Sequence, residues 1–246
     1  MIDRVLPAAV RTRVVYGDAL DNAPLHREEA DAVSSALPKR RAEFTAGRAC
    51  SRAALAALSG VEPPPVPRAE DDHGAPVWPE GVVGSITHCD GYRAAAVARR
   101  ADILALGIDA EPHGALPEGV LDLVHSTVAE RAGLETLTRK EPAIHWDRLL
   151  FSAKESIYKA WFPYHHRVLE FKDAEVRFVR DQRSSDRGFF SARLFVPGPL
   201  LARGIGPDMF TGRWMVRNGL VVTAVATPAE PGTLLPGGQC PPGSRR

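Results

Sequence analysis

Ile103-Leu104-Ala105-Leu106-Gly107-Ile108-Asp109-Ala110-Glu111-Pro112 begins as an unbroken apolar run and ends on alternating carboxylates. The apolar run predicts a strand over Ile103 to Asp109. Side chains two apart on a strand share a face, so Asp109 and Glu111 point the same way and Ala110 turns aside. Downstream, Trp146-Asp147-Arg148-Leu149-Leu150-Phe151-Ser152-Ala153-Lys154-Glu155-Ser156-Ile157-Tyr158-Lys159-Ala160-Trp161 has helical spacing. Leu149, Leu150, Ala153, Ile157, Ala160 and Trp161 form its apolar stripe. Glu155 lies between Lys154 and Lys159. Three carboxylates beside two ammonium groups suit a hard divalent cation held on a phosphate. The same letters also describe a salt-bridged strand end, with Glu155 pairing Lys159 one turn on.

Around this pair the chain reads as helices and small antiparallel sheets. Helices are predicted over Glu28–Leu37 and Arg40–Leu58, either side of a break at Pro38, with Gly60 ending the second. Glu62–Pro67 is a proline-rich loop and Asp71–Gly81 a polar one. Val82–His88 and Tyr92–Arg99 flank Asp90-Gly91, a hairpin turn signal. The Ile103–Asp109 strand is expected as a third strand beside them. Leu116–Leu123 and Val128–Leu137 carry helix or turn signals. Ala174–Arg180, Gly188–Val196, Thr211–Val216 and Leu220–Ala226 read as antiparallel strands, the last two joined at Asn218-Gly219. Pro228–Arg246 is Pro- and Gly-rich without periodicity and reads as a disordered tail.

The chain has 246 residues, 44% of them hydrophobic, and a formal charge of +1. That composition allows a real core and gives no global field for nucleic acid or membrane. Any basic site is therefore local. Cys50, Cys89 and Cys240 are widely spaced and show no C-x-x-C pair. With no long apolar start at Met1, reduced thiols and a cytoplasmic location are expected. A zinc site at His88-Cys89 lacks a second ligand pair at zinc spacing. Nothing around Ser85 or Ser152 suggests a Ser-His-Asp triad.

The two opening motifs, together with three others in order, resemble the phosphopantetheinyl transferases of the surfactin and enterobactin type, actinobacterial branch. The others are Lys39-Arg40-Arg41-Ala42-Glu43-Phe44 with Gly47-Arg48-Ala49-Cys50, Gly84-Ser85-Ile86-Thr87-His88-Cys89, and Gly212-Arg213-Trp214. They extend from about Lys39 to about Thr227. A lone D-x-E is a weak signal, but five ordered motifs are a strong one.

The resemblance implies an α+β fold of two pseudo-twofold-related halves, each a small antiparallel sheet with helices. It divides the chain into 1–108, carrying the coenzyme A phosphate grip, 109–227, carrying the metal site and pantetheine groove, and the 228–246 tail. It implies transfer of 4′-phosphopantetheine from coenzyme A to a serine of an apo acyl or peptidyl carrier protein, by a monomer that binds neither nucleic acid nor membrane. Asp109, Glu111 and Glu155 would hold Mg²⁺, or Mn²⁺ in its place, with Glu111 acting directly or through water. Arg40 and Arg48 would grip the 3′-phosphate, with Thr87 and His88 contacting a phosphate of coenzyme A. Lys154 and Lys159 would meet the pyrophosphate, and a subset of the aromatic residues near the helix would line the pantetheine groove. Glu130 would be the general base, with Lys154 its rival, beside Glu155; by its own letters Glu130 reads equally as an exposed helix glutamate. Two departures stand out. Glu70-Asp71-Asp72 replace a lysine-bearing loop before Gly74-Ala75-Pro76-Val77-Trp78-Pro79, leaving Arg68 as the nearest substitute. Tyr164-His165-His166 follow Phe162-Pro163 where relatives often have Leu-Thr. The rival readings are a metal-dependent hydrolase of the coenzyme A pyrophosphate and a non-catalytic coenzyme A-binding module.

Overall fold

The structure is a computed structural model and describes residues 1–69, 74–196 and 209–229. Among the described residues, two antiparallel sheets carry the chain, one of three strands and one of five, with five α-helices beside them. The first sheet is built from β1 (Arg11–Tyr16), β2 (Val82–Cys89) and β3 (Tyr92–Arg99), with β3 central. β1 had no sequence signal, because only Val15 of its six residues is buried. The β2–β3 hairpin turns at Asp90-Gly91 as predicted, with Gly91 at φ 70°.

Helix α1 (Arg27–Asp31) is shorter than predicted, and α2 (Pro38–Ser59) begins at the proline itself. Pro38 starts the helix because an N–H missing from the first turn has no intrahelical acceptor to lose. Gly60 closes α2 in the left-handed region, at φ 76°. The helix lies against β3, whose Ala94 to Ala98 are fully buried. Small side chains there let the helix approach closely.

The second sheet has the order β4-β8-β7-β6-β5. Its strands are β4 (Ile103–Pro112), β5 (Ala174–Arg180), β6 (Arg187–Leu194), β7 (Met209–Arg217) and β8 (Leu220–Pro228). The β7–β8 turn at Asn218-Gly219 puts both residues at positive φ, as a tight hairpin requires.

β4 corrects one expectation. It does not extend the β2–β3 sheet but pairs with β8, so it lies whole in the five-stranded sheet and runs through the 108/109 division. It still lies beside β2, and hydroxyls replace the backbone ladder there. The amide of Ile108 donates to Ser85 Oγ and that of Ala110 to Thr87 Oγ1, both at 3.0 Å. Alternation along a strand reveals its faces, not its neighbour. The end of β8 also runs further than the predicted strand. Pro228 pairs with Ile103, and Ala229 N donates to Asp102 O. Glu70-Asp71-Asp72 and the stretch 230–246 lie outside the described residues.

α5 (Trp146–His165) packs on β4 and β8 of the five-stranded sheet, with α3 (Val120–Val124) and α4 (Val128–Lys140) against it. The whole predicted stripe of α5, Leu149 to Trp161, is buried. Trp146 and Trp214 meet edge to face at 5.3 Å in the same core. α5 continues past Trp161 through Pro163 and ends at His166, which takes a left-handed φ of 48°. Among the described residues no helix is long and apolar enough to cross a membrane.

Candidate active site

Gly107 sets the distance between β4 and α5. A Cβ there would sit 1.9 Å from the carbonyl oxygen of Ser156 and 2.7 Å from the amide of Ala160. Only a residue without a side chain lets the helix backbone pass so close. On the same strand face, Asp109 and Glu111 follow at i+2 and i+4. The close crossing therefore brings Glu155 and Lys159 of α5 to these carboxylates. Asp109, Glu111, Glu155 and Lys159 all line one cavity of about 1050 Å³.

At this carboxylate end Lys159 Nζ donates to Asp109 Oδ1 at 2.7 Å. Burial opposes the ammonium charge, but Asp109 and Glu155 outweigh it and hold the Lys159 pKa above the ordinary value. Thr87 Oγ1 donates to the same Asp109 oxygen at 3.3 Å. The second oxygen, Oδ2, is buried without a hydrogen-bond partner among the described residues. Burial, and then the Asp109 charge, push Glu111 up to about 7, although Arg148 Nη1 donates to its Oε2 at 3.2 Å. Burial also raises Glu155, with Lys159 opposing and Asp109 reinforcing the shift. The three carboxylates share the cavity wall. Yet among the described residues no three His, Cys, Asp or Glu side chains converge closely enough to enclose a metal. Their chemistry still fits a hard cation: one buried and two partly buried carboxylates, one oxygen of Asp109 unpartnered among the described residues, and Glu111 and Glu155 pushed toward the neutral form that a cation would reverse.

The same cavity also carries an arginine cluster. Arg40, Arg48 and Arg68 all line the cavity. Arg48 is 5% exposed, its guanidinium lies 4.2 Å from the Phe44 ring centre, and its Nε is buried without a partner among the described residues. Burial brings its pKa down to about 10; Glu29 opposes this, while Arg40, Arg68 and Arg52 add to it. Glu29 is itself engaged by Arg52 and the amide of Val66. Guanidinium groups gathered in this way suit a multivalent anion. His88 also lines the cavity, with Arg40 Nη1 3.1 Å from its Nε2 and Glu43 3.8 Å from its Nδ1. Burial lowers its pKa; Glu43 opposes the shift, and Arg40 and Lys159 reinforce it.

Nine of the eleven predicted site residues thus face one cavity: Arg40, Arg48, Arg68, Thr87, His88, Asp109, Glu111, Glu155 and Lys159. Thr87 arrives with its hydroxyl already engaged by Ala110 N and Asp109. Lys154 and Glu130 are not brought there. Lys154 Nζ donates to Val124 O, Phe171 O and Glu130 Oε2, at 2.8, 2.8 and 2.9 Å, which occupies all three ammonium donors. Glu130 accepts in addition from Ser126 N, Ser126 Oγ and Val176 N, and is 3% exposed. The expected base and its rival are a buried ion pair tying α4 and α5 to β5. Lys154 borders instead a second cavity of about 510 Å³, which shares Glu155 and Tyr158 with the first and is also lined by Phe171 and Leu169.

Of the aromatic residues, Trp146, Trp161 and Trp214 are core, while Phe151, Tyr158 and Phe162 reach the large cavity. Tyr164 and His166 reach its rim, and the Tyr164 hydroxyl donates to Leu104 O. Arg148 went unnoticed in the sequence. The available signal was its place seven residues before Glu155, two turns up the same helix.

The sequence also matches known proteins. A family model for the 4′-phosphopantetheinyl transferase N-terminal domain matches residues 28–98, and one for the 4′-phosphopantetheinyl transferase superfamily matches residues 105–195. The chain is 50% identical to 4′-phosphopantetheinyl transferase Svp of Streptomyces mobaraensis, over 95% of this chain and 92% of that protein. It is 46% identical to PptT of Mycobacterium tuberculosis, over 92% and 97%. It is 44% identical to Npt of Nocardia iowensis, over 92% and 99%. The chain belongs to the 4′-phosphopantetheinyl transferase family.

Proposed function

We propose that the large cavity binds coenzyme A and that the chain transfers its 4′-phosphopantetheine to a serine of an apo acyl or peptidyl carrier protein. The 3′-phosphate lies against Arg48 and Arg40, with His88 beside it and Arg68 on the adenine side. The three-stranded sheet and α2 supply this grip. The pyrophosphate reaches the carboxylate end, where β4 and α5 supply Lys159. The pantetheine arm leaves past Tyr158 toward the smaller cavity. The observation that carries this reading is one cavity lined both by the arginines Arg40, Arg48 and Arg68 and by the carboxylates Asp109, Glu111 and Glu155.

Asp109, Glu111 and Glu155 are the residues that would hold Mg²⁺, and the unpartnered Oδ2 of Asp109 is the first oxygen we assign to it. When bound, the cation neutralises charge on the pyrophosphate. The chain itself orients and excludes water. Lys159 places an ammonium against the phosphate side, and Arg48 anchors the end that does not react. The serine oxygen bonds to the β-phosphorus as its bond to the 3′,5′-ADP oxygen breaks. Glu155 borders both cavities, so it is the carboxylate assigned to take the serine proton.

The test is incubation with Mg²⁺, coenzyme A and apo-carriers of fatty-acid, polyketide and peptide type. Mass spectrometry reads the carrier, and 3′,5′-ADP is measured alongside. Equal amounts of holo-carrier and 3′,5′-ADP support transfer. Release of 3′,5′-ADP at the same rate without a carrier would mean hydrolysis. Coenzyme A binding with no product from any carrier would mean a binding module.

A further inference from the structure

Arg148 lies in the first turn of α5 and is absent from the cavity wall, yet it is bonded to a residue that forms that wall. Its fork reaches three acceptors. Nη1 donates to Glu111 Oε2 at 3.2 Å, Nε to Gly114 O at 3.2 Å and Nη2 to Ala115 O at 3.0 Å. The neighbouring side chain completes a clamp, since Asp147 Oδ2 accepts from Leu116 N at 2.7 Å. His113 Nε2 accepts from His145 N at 3.2 Å on the other side. The start of α5 thus grips the whole segment from Glu111 to Leu116, just where β4 leaves its sheet. Side chains of Arg148 and Glu111 are 18% and 20% exposed, so the pair is shielded from much of the solvent that weakens surface ion pairs.

We propose that Arg148 is a positioning residue for the cation: by holding Glu111 against the end of β4, it sets the affinity of the site without touching cation or phosphate. The inference rests on reading Asp109, Glu111 and Glu155 as the cation site. A planar guanidinium serves the role because it satisfies one carboxylate and two carbonyls from a single fixed fork. A lysine ammonium is a point charge on a flexible stem and cannot hold that arrangement. Residues that orient a metal ligand in this way change metal affinity about 10–100-fold when lost.

The experiment uses Mn²⁺ as the probe, titrated into the full chain with coenzyme A and no carrier, with free Mn²⁺ read by electron paramagnetic resonance. Arg148→Ala should weaken Mn²⁺ binding about 10–100-fold. The KM for Mg²⁺ in transfer should rise in step, while the KM for coenzyme A at saturating Mg²⁺ stays near wild type. Arg148→Lys should recover part of the loss. Arg148→Ala placed on Glu111→Gln should weaken Mn²⁺ no further than Glu111→Gln alone, because the arginine acts through that carboxylate. If Arg148→Ala lowers Tm yet binds Mn²⁺ as wild type does, the residue only braces the loop and the inference is wrong. It is equally wrong if the two losses multiply in the double variant. Should Arg148→Ala not fold, Arg148→Gln and Arg148→Lys carry the same cycle. A wild type that binds no Mn²⁺ and transfers at full rate in chelator overturns the cation site itself, and this inference with it. That outcome is distinct from intact wild-type binding with multiplying losses, which overturns only the role of Arg148.

Discussion

Gly107→Ala should disable the enzyme although the residue touches no substrate. The added Cβ would lie 1.9 Å from Ser156 O and 2.7 Å from Ala160 N, both backbone atoms of α5. The first contact is roughly 1.5 Å short of ordinary van der Waals separation, and neither atom can rotate away. The helix must shift as a body, or the strand must. Overpacking of this kind costs about 1–3 kcal/mol. At about 2–4 °C per kcal/mol for a chain of this size, Tm should fall by about 2–12 °C. The larger effect is on rate. Glu155 and Lys159 flank the crossing on α5, and misplacing catalytic groups by about 1 Å can cost about a hundredfold. Tm by calorimetry and kcat for transfer to an apo-carrier are the two measurements. Gly133→Ala is the control, since its Cβ would meet nothing within 4 Å on α4 and alanine favours helix by about 0.5–1 kcal/mol. If Gly107→Ala keeps both wild-type Tm and wild-type kcat, the close crossing does not set the site.

Asp109→Ala should lose nearly all turnover while keeping its circular dichroism spectrum, and full activity of that variant in magnesium-depleted buffer would refute the assignment. Arg48→Ala should raise the KM for coenzyme A about tenfold to a hundredfold, the loss of one charge-assisted contact of about 1.5–3 kcal/mol. Dephospho-coenzyme A should separate the two proteins little, and equal weakening of both substrates would show that Arg48 does not hold the 3′-phosphate. Glu130→Ala should act on stability, because it strands the buried Lys154 ammonium; a loss of about 3–5 kcal/mol is expected by chemical denaturation. A Glu130→Ala protein of wild-type stability that has lost only kcat would restore Glu130 as the base. Acetyl-coenzyme A should serve as donor and give an acetylated holo-carrier by mass spectrometry, since in the proposed binding mode the arginine and carboxylate groups would surround the nucleotide and pyrophosphate rather than the thiol.

Local chemistry made much of this protein readable from its letters. The stripe of α5, the Asp90-Gly91 and Asn218-Gly219 turns and the glycine cap of α2 follow from helix periodicity and positive φ. Each depends on residues a few positions apart. The shared face of Asp109 and Glu111 follows from the alternation of a strand in the same way. β1 escaped notice because its single buried side chain leaves no pattern. Tertiary structure decided what those elements meet. It joined β4 to β8, over a hundred residues away, and stitched it to β2 through Ser85 and Thr87 hydroxyls. It gathered nine distant polar residues on one cavity and withdrew Lys154 and Glu130 from it. Lys154 and Glu155 are neighbours in sequence, but on a helix successive side chains point about 100° apart. One therefore faces the cavity wall, and the other turns to carbonyls of Val124 and Phe171 that only the folded chain brings within reach.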